Sequence, residues 1–199
     1  MTTAIAQANA DHPAARRAMI DSQLRPSGVN EPWVLAAMLA LPRESFVPVS
    51  LRSSAYIDRA IPLVDGRWLA APLVHGRFLA EAAPTPADRA LLVGDPAGYL
   101  AALLRPLVGS LDVAEPGQLA ETQAGAYTLI VIDGAIEQLP DTLKAALAED
   151  GRLVTGTVAH GVTRLAVGRK VAGDVALLAL TDLGMPVLRE FAAPKRWSF

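Results

Sequence analysis

The chain has 199 residues, of which 52% are hydrophobic and 19% charged, with a formal net charge of −2 and no cysteine. The apolar content excludes general disorder, and the lack of cysteine excludes disulfides and thiolate chemistry. The balanced charge gives no broad attraction to nucleic acid, and every apolar stretch is interrupted before the roughly 20 residues of a membrane helix. We therefore expect a cytoplasmic globular protein without nucleic-acid or membrane partners.

Helices and a winding connector are predicted for the N-terminal part. A helical pattern covers residues 14–24, and Asn30 suits the N-cap of a second helix that ends at Pro42. Prolines divide the connector over residues 43–72 into short extended pieces with room for one small hairpin. A third helix is predicted over residues 73–82.

The segment over residues 90–99, ALLVGDPAGY, is the most informative of the chain. It begins like a buried parallel strand, and Gly94 and Gly98 suit the tight turn and close backbone approach of nucleotide-type sites. Pro96 lacks an N–H donor in the middle of that turn, and Leu92 puts no acid at the end of the strand. The segment therefore predicts a strand-turn-helix unit with altered ligand chemistry.

The rest of the chain predicts a mainly parallel sheet. TLIVID, at residues 128–133, is a continuous apolar run typical of a strand that is buried on both faces, and Asp141 suits a helix N-cap. The predicted elements are a helix over 99–107, strands over 110–114 and 127–133, a helix over 141–149, and strands over 152–158, 164–171 and 175–183. This order predicts an α/β fold with helices on both faces of the sheet.

Three long blocks carry a resemblance to a known family. QLRPSGVNEPWVLAAMLALPRESFVP lies within residues 19–48, the altered loop covers 90–99, and TLIVIDGAIEQLPDTLKAALAEDGRLV covers 128–154. Together they resemble the protein-L-isoaspartate O-methyltransferase family, which repairs damaged proteins by methylating isoaspartyl carboxylates with S-adenosylmethionine. The resemblance implies a Rossmann-like methyltransferase fold, with a helical lead-in and connector over 1–89 and the core over 90–199.

The resemblance implies a donor site along the turn after the first core strand. Gly94, Asp95 and Gly98 lie in that turn, and Glu115 matches the acid that grips the ribose hydroxyls in this fold. Asp133 ends a predicted strand at the sheet edge where open α/β sheets bind ligands. These five residues are the candidate site for S-adenosylmethionine, and no metal site is expected.

The substrate stretch of the family has lost its hydroxyl groups in this chain. Where the family has Gly-Gln-Thr-Ile-Ser-Gln-Pro, residues 66–72 place Trp68 at the Thr position and Ala70 at the Ser position. No catalytic residue is therefore assigned, and the bulk of Trp68 is expected to fill the cleft. Two functions stay open: a carboxyl methyltransferase acting on isoaspartyl proteins, and a non-catalytic pseudoenzyme that serves as an interaction module.

The span from Glu115 to Tyr127 is short for this fold. A parallel crossover alone needs about a dozen residues, so we expect a strand and its helix to be missing here, together with the adenine contact. Such a loss exposes a sheet edge and an apolar face. We therefore predict a homodimer that buries this side.

Two histidines and two arginines have simpler interpretations. His75 and His160 lack a third ligand at metal spacing, so surface or supporting roles are expected. Arg16 and Arg17 are expected on a solvated helix face, because the charges around them balance.

Overall fold

The computed structural model describes residues 12–119 and 123–193. Its strands are β1 (Ile61–Pro62), β2 (Trp68–Leu69), β3 (Arg89–Val93), β4 (Ser110–Ala114), β5 (Tyr127–Ile136), β6 (Leu147–Ala159), β7 (Val162–Val171) and β8 (Asp174–Asp182). Strands β1 and β2 form the small hairpin of the connector, and the other six form one sheet in the order β4-β3-β5-β6-β7-β8. Neighbours from β4 to β6 are parallel, whereas β7 and β8 are antiparallel additions at one side. The sheet is therefore mostly parallel, as predicted.

Five α-helices accompany the sheet within the described residues. They are α1 (His12–Met19), which continues as a π-helical turn over Ile20–Leu24, α2 (Pro32–Ala40), α3 (Pro72–Ala82), α4 (Tyr99–Leu104) and α5 (Asp141–Ala146). Among these residues, no helix combines the length and the apolarity needed to cross a bilayer.

Helices cover both faces of the sheet, because successive side chains of the central strands point to opposite sides. Leu92 and Val131 belong to the core under α1 to α4, whereas Leu91, Ile130 and Ile132 belong to a second core under α5. This burial on both faces explains why β3 and β5 are continuous apolar runs. The predicted α/β architecture is confirmed, with four helices on one face and one on the other.

The predicted boundaries of α2 and α5 were wrong. Pro32 occupies the first turn of α2, so the N-cap is Glu31 and not Asn30. Pro140 is the N-cap of α5, and the Asp141 carboxylate accepts a hydrogen bond from Lys144 Nζ at 2.9 Å instead of capping. Helix α5 also ends early, because the residues after Ala146 are extended in β6.

Strand β5 runs three residues past its predicted end, where it pairs with β6 on one side and bonds to the chain that follows β8 on the other. Ala135 N donates to Pro186 O at 2.8 Å, and Leu188 N donates to Ala135 O at 2.9 Å. Gly134 permits this contact, since it has a φ of +155° and a Cβ there would lie 2.9 Å from Pro186 O. The segment over residues 183–190 is thereby held across the carboxyl end of β5.

Strand β4 is one edge of the sheet. Between β4 and β5, none of the described residues 115–119 and 123–126 lies in a strand. This agrees with the shortened sheet expected from the sequence, and it leaves the outer side of β4 without a paired strand among the described residues.

Candidate active site

A cleft of about 1580 Å³ opens at the carboxyl ends of β3, β4 and β5. Its walls come from the connector and hairpin at 58–68, the start of α3, the turns after the three strands, and the segment at 183–190. Small-molecule pockets are commonly about 300–1,000 Å³. This cleft therefore has room for a nucleoside ligand together with part of a second molecule.

Four of the five candidate binding residues line this cleft. Gly94 and Asp95 follow β3, Glu115 follows β4, Asp133 lies in β5 near its carboxyl end, and all four face the same space. Gly98 is not among the lining residues; it precedes α4, and its amide donates to Asp95 O at 2.9 Å. The binding role of these five residues stays a prediction.

Gly94 and Asp133 are neighbours across two parallel strands. Val93 pairs with Ile132, so the next residue of each strand lies side by side at the sheet edge. A Cβ built on Gly94 would lie 3.1 Å from Asp133 Cβ, which is tighter than most contacts of this kind. The absence of a side chain at Gly94 thus lets the Asp133 carboxylate sit directly beside the turn.

Asp95 joins the turn to the β1–β2 hairpin. Its Oδ2 lies 2.5 Å from Arg67 Nη1, and its Oδ1 accepts a hydrogen bond from Ala97 N at 2.9 Å. Both side chains of the ion pair are partly exposed, so the pair contributes at most about 1 kcal/mol to stability. Its main effect is to hold the hairpin against the loop at one side of the cleft.

Trp68 does not fill the cleft, contrary to the expectation from its size. It lines the wall with 52% of its surface exposed, because its place in β2 directs it away from the core side on which Leu69 is buried. Ala70 is buried, and its carbonyl accepts a hydrogen bond from Arg43 Nη2. The family's hydroxyl position is therefore both apolar and turned toward the interior.

A buried chain of hydrogen bonds leads from Arg43 to the cleft. Arg43 Nη1 lies 3.0 Å from His75 Nδ1, and His75 Nε2 lies 3.3 Å from Asp133 Oδ1. Arginine has only donors, so Nδ1 must be the nitrogen without a proton. His75 Nε2 therefore carries the proton and donates a hydrogen bond to the Asp133 carboxylate. The imidazole thus links two opposite charges in a fixed geometry.

Both basic groups of this chain are removed from water. Burial lowers the pKa of His75, which keeps the imidazole neutral, and burial lowers the pKa of Arg43 to about 10, which leaves the guanidinium charged at neutral pH. The Arg43 guanidinium carbon also lies 5.1 Å from the ring centroid of Tyr99, and Arg43 Nε donates to Ala55 O at 2.8 Å. A buried cation needs an opposite charge nearby, and Asp133 supplies it.

The second oxygen of Asp133 remains available to the cleft. No donor among the described residues lies within hydrogen-bond distance of Oδ2, and the side chain is 17% exposed. Asp133 is therefore a carboxylate fixed on one side and open on the other.

Of the two histidines and two arginines interpreted from the sequence, His75 and Arg16 depart from part of their expected setting. His75 has the supporting role that was one alternative, and it is fully buried instead of lying at the surface. Arg16 was expected to be solvated, but it donates to Tyr56 Oη at 2.9 Å and pairs with Glu44 at 3.1 Å, because α1 packs against the connector. Arg17 and His160 are exposed, as expected.

Sequence reasoning missed Arg43, the exact partners of His75 and the wall at 183–190. A signal for His75 was present, because it shares the apolar face of α3 with Phe78, Leu79 and Ala82 at helical spacing. A histidine at such a position needs a buried polar partner. Nothing local in the sequence indicates that Arg43 is this partner.

Comparison with known proteins identifies the family. The sequence profile of the family described as Protein-L-isoaspartate(D-aspartate) O-methyltransferase (PCMT) matches residues 14–115. A protein-L-isoaspartate O-methyltransferase of Koribacter versatilis is 31% identical over 193 residues, which cover 84% of this chain and 87% of the relative. The chain belongs to this family. A relative of the same name from Herpetosiphon aurantiacus is 32% identical, over 70% of this chain and 74% of its own.

Solved structures of the same family share the fold. A Plasmodium falciparum protein-L-isoaspartate O-methyltransferase, solved in complex with S-adenosyl-L-homocysteine, superposes with a TM-score of 0.68 at 18% identity and covers 90% of this chain and 98% of that one. A second protein-L-isoaspartate O-methyltransferase structure has a TM-score of 0.69 at 16% identity and covers 89% of this chain and 67% of its own. The Rossmann-like fold expected from the sequence is thereby confirmed.

Proposed function

We propose that this protein transfers a methyl group from S-adenosylmethionine to the side-chain carboxylate of isoaspartyl residues in proteins, with a weakened hold on the donor. The observation that carries the proposal is the open cleft at the carboxyl ends of β3, β4 and β5, where Gly94, Glu115 and Asp133 face one space. Open α/β sheets bind ligands at this edge. Family membership supplies the reaction class.

The residues present fit an adenosyl donor. Glu115 directly follows β4 and is exposed to the cleft, where its carboxylate can accept hydrogen bonds from ribose hydroxyls. Gly94 leaves the backbone open to close approach, since a side chain there would crowd Asp133. Five acidic and three arginine side chains line the cleft, so its field favours a cationic donor over a neutral one.

The altered loop weakens this site. Pro96 offers no N–H to a ligand. Leu92, which stands at the position of the family's acid, is an apolar residue fully buried in the core, so β3 itself supplies no carboxylate. Each lost hydrogen bond to a ligand is worth about 1 kcal/mol, or more when one partner is charged. Two or three such losses reduce the affinity for the donor by orders of magnitude.

The donor, once bound, supplies an electrophilic methyl group, and the protein's task is to align the acceptor with it. Orientation accounts for much of the rate in such reactions. In-line displacement by a carboxylate requires no proton transfer, so the missing hydroxyl at Ala70 slows the reaction without removing its chemical basis. We expect a slow enzyme.

Calorimetry and a labelled-methyl assay test the proposal. We expect S-adenosylmethionine and S-adenosylhomocysteine to bind at submillimolar concentration, and Glu115→Ala to weaken both by about 10- to 100-fold, because a charged hydrogen-bonding group is lost. Transfer should occur to an isoaspartyl peptide and not to the matched aspartyl peptide. The absence of binding at millimolar ligand contradicts the proposal.

The alternative is a non-catalytic pseudoenzyme that uses the same scaffold for interaction. One observation favours it: no serine, threonine or tyrosine is among the described residues that line the cleft. Ala71→Ser places a hydroxyl on the cleft wall, whereas Ala70→Ser places one in the interior and is its control. Faster transfer in Ala71→Ser alone supports the enzyme, whereas donor binding without transfer in any variant supports the interaction module.

We also propose that the protein acts in the cytoplasm as a homodimer formed through the β4 side. The support is that β4 is an edge strand with only partly buried side chains. Light scattering at tens of micromolar tests this, and a monomer contradicts it. Asp112→Lys, on that edge, should shift a dimer toward monomer.

A further inference from the structure

Asp133 differs from Asp95, another carboxylate of the cleft. One Asp133 oxygen is fixed by a hydrogen bond, and the other has no donor among the described residues. His75 Nε2 donates to its Oδ1, and Arg43 balances its charge through His75. Asp95, in contrast, is paired with Arg67 at 2.5 Å and bonded to its own turn. The molecule thus maintains one fixed anionic acceptor beside Gly94.

We infer that Asp133 binds the α-ammonium group in the amino-acid part of the S-adenosyl ligand, and that His75 and Arg43 position it for that contact. This inference rests on the proposed function, since it assigns a role within the same site.

The location of Asp133 points to the ammonium group of the ligand rather than to its ribose. Glu115, which follows β4, is the residue proposed for the ribose hydroxyls, and β4 is one strand away from β3 and two strands away from β5. Leu92 of β3 stands where the family has its acid, and its side chain and that of Asp133 adjoin the same glycine: a Cβ on Gly94 would be 3.1 Å from Asp133 Cβ and 3.7 Å from Leu92 Cδ1. Asp133 therefore offers from β5 the negative charge that β3 lacks.

The buried link explains how the carboxylate keeps its orientation. A carboxylate on an open strand end would rotate and bind water. Here the protonated Nε2 of His75 fixes Oδ1 of Asp133. The other ring nitrogen accepts a hydrogen bond from Arg43, so the proton stays on Nε2. The free Oδ2 then faces the cleft with little loss of side-chain entropy on binding.

Three ligands that share the adenosine part separate this role from others. Methylthioadenosine has no ammonium group, S-adenosylhomocysteine has one, and S-adenosylmethionine adds the sulfonium charge. In Asp133→Asn, which keeps the acceptor for His75, we expect calorimetry to show at least tenfold weaker binding of the last two and less than a twofold change for methylthioadenosine. Glu115→Ala is the matched control and should weaken all three.

Other outcomes are equally informative. A uniform loss for all three ligands in Asp133→Asn, or a loss confined to S-adenosylmethionine, overturns the inference while leaving the proposed function intact. Wild-type protein that binds none of the three overturns the proposed function, and the inference with it.

The role of His75 is tested in the same way. His75→Gln retains an oxygen that accepts from Arg43 and an amide that donates to Asp133, so it should bind S-adenosylhomocysteine within threefold of wild type. His75→Phe removes both contacts and should reproduce the selective loss of Asp133→Asn. A thermal melt confirms that each variant is folded, and equal binding by both His75 variants contradicts the positioning role.

Discussion

The two ends of the parallel strands each carry an aspartate linked to an arginine, directly for Asp88 and through His75 for Asp133, but the two carboxylates are satisfied to different degrees. At the amino end, Asp88 accepts hydrogen bonds from Arg152 at 2.9 and 2.7 Å, from Thr128 at 2.8 Å, and from Thr85 N and Oγ1 at 2.7 and 2.9 Å. At the carboxyl end, Asp133 accepts one hydrogen bond, from His75.

This difference separates a structural carboxylate from the carboxylate that we propose as a binding group. Both oxygens of Asp88 are saturated and its side chain is 6% exposed, so it has nothing left to offer a ligand. Asp133 has a fixed orientation and an unfilled oxygen that faces a cleft. Both ends of the sheet have an aspartate linked to a basic side chain. They differ in how many hydrogen-bond acceptor positions of that aspartate remain without a donor.

The largest expected effect is on stability at the saturated end. Asp88→Asn leaves Arg152 without its charge partner, and breaking such a pair on one side costs about 3–5 kcal/mol. Urea unfolding should show this decrease in the free energy of unfolding. Glu115→Gln, an exposed acid at the opposite end, is the control and should change it by less than about 0.5 kcal/mol. Equal effects would contradict the comparison.

The same contrast has a pH dependence. Hydrogen bonds from Arg152 and Thr128 hold the pKa of Asp88 well below its usual range. A carboxylate with a lowered folded pKa stabilises the protein above its unfolded pKa of about 3.9 and loses that contribution as the pH falls toward the folded pKa. The stability difference between wild type and Asp88→Asn should therefore be constant near pH 6 and shrink below about pH 4. A difference that persists unchanged at pH 2.5 would contradict this assignment.

A smaller effect is expected at the exposed ion pair of the cleft. Arg67→Ala removes the contact with Asp95, and exposed pairs contribute at most about 1 kcal/mol. The free energy of unfolding should hardly change, whereas release of the hairpin from the loop should speed donor association in stopped-flow measurements. If Arg67→Ala lowered the free energy of unfolding as much as Asp88→Asn, the exposed and the buried ion pair would contribute equally to stability, which contradicts the comparison.

The smallest effect concerns the altered turn. Pro96→Gly restores an N–H in the turn and should tighten donor binding by up to about tenfold, as expected for one hydrogen bond. It should also lower the free energy of unfolding by about 0.4–1 kcal/mol, because glycine has more freedom in the unfolded chain. Pro106→Gly, in the turn after α4, should show the second effect without the first.

Much of the scaffold could be predicted from local sequence patterns. The strand and turn at 90–98 follow from an apolar run and glycine spacing, and the predicted strand at 110–114 matches β4. Boundaries failed where a distant segment decided them. Strand β5 extends to Ile136 because it pairs there with β6 and because residues 186–188 bond to Ala135, and α5 is short because β6 begins at Leu147.

The candidate site also has parts that the sequence predicts and parts that depend on distant contacts. Gly94, Asp95, Glu115 and Asp133 could be placed at strand ends because a parallel sheet brings those ends together. The openness of the cleft could not be predicted, since it depends on how the two-residue strand β2 directs Trp68. The sequence also could not show that Gly98 lies outside the cleft. A glycine at this spacing suits a tight turn whether or not it contacts a ligand.

The sequence by itself determined the family, the layered α/β scaffold and the positions of its ligand-facing turns, because apolar periodicity and glycine or proline placement act over a few neighbouring residues. Only the tertiary structure decided that Arg43, His75 and Asp133 form one hydrogen-bonded line, since these residues are 32 and 58 positions apart and share no local pattern. Burial is the physical reason: a cation and an imidazole removed from water must find partners, and folding alone brings those partners within reach.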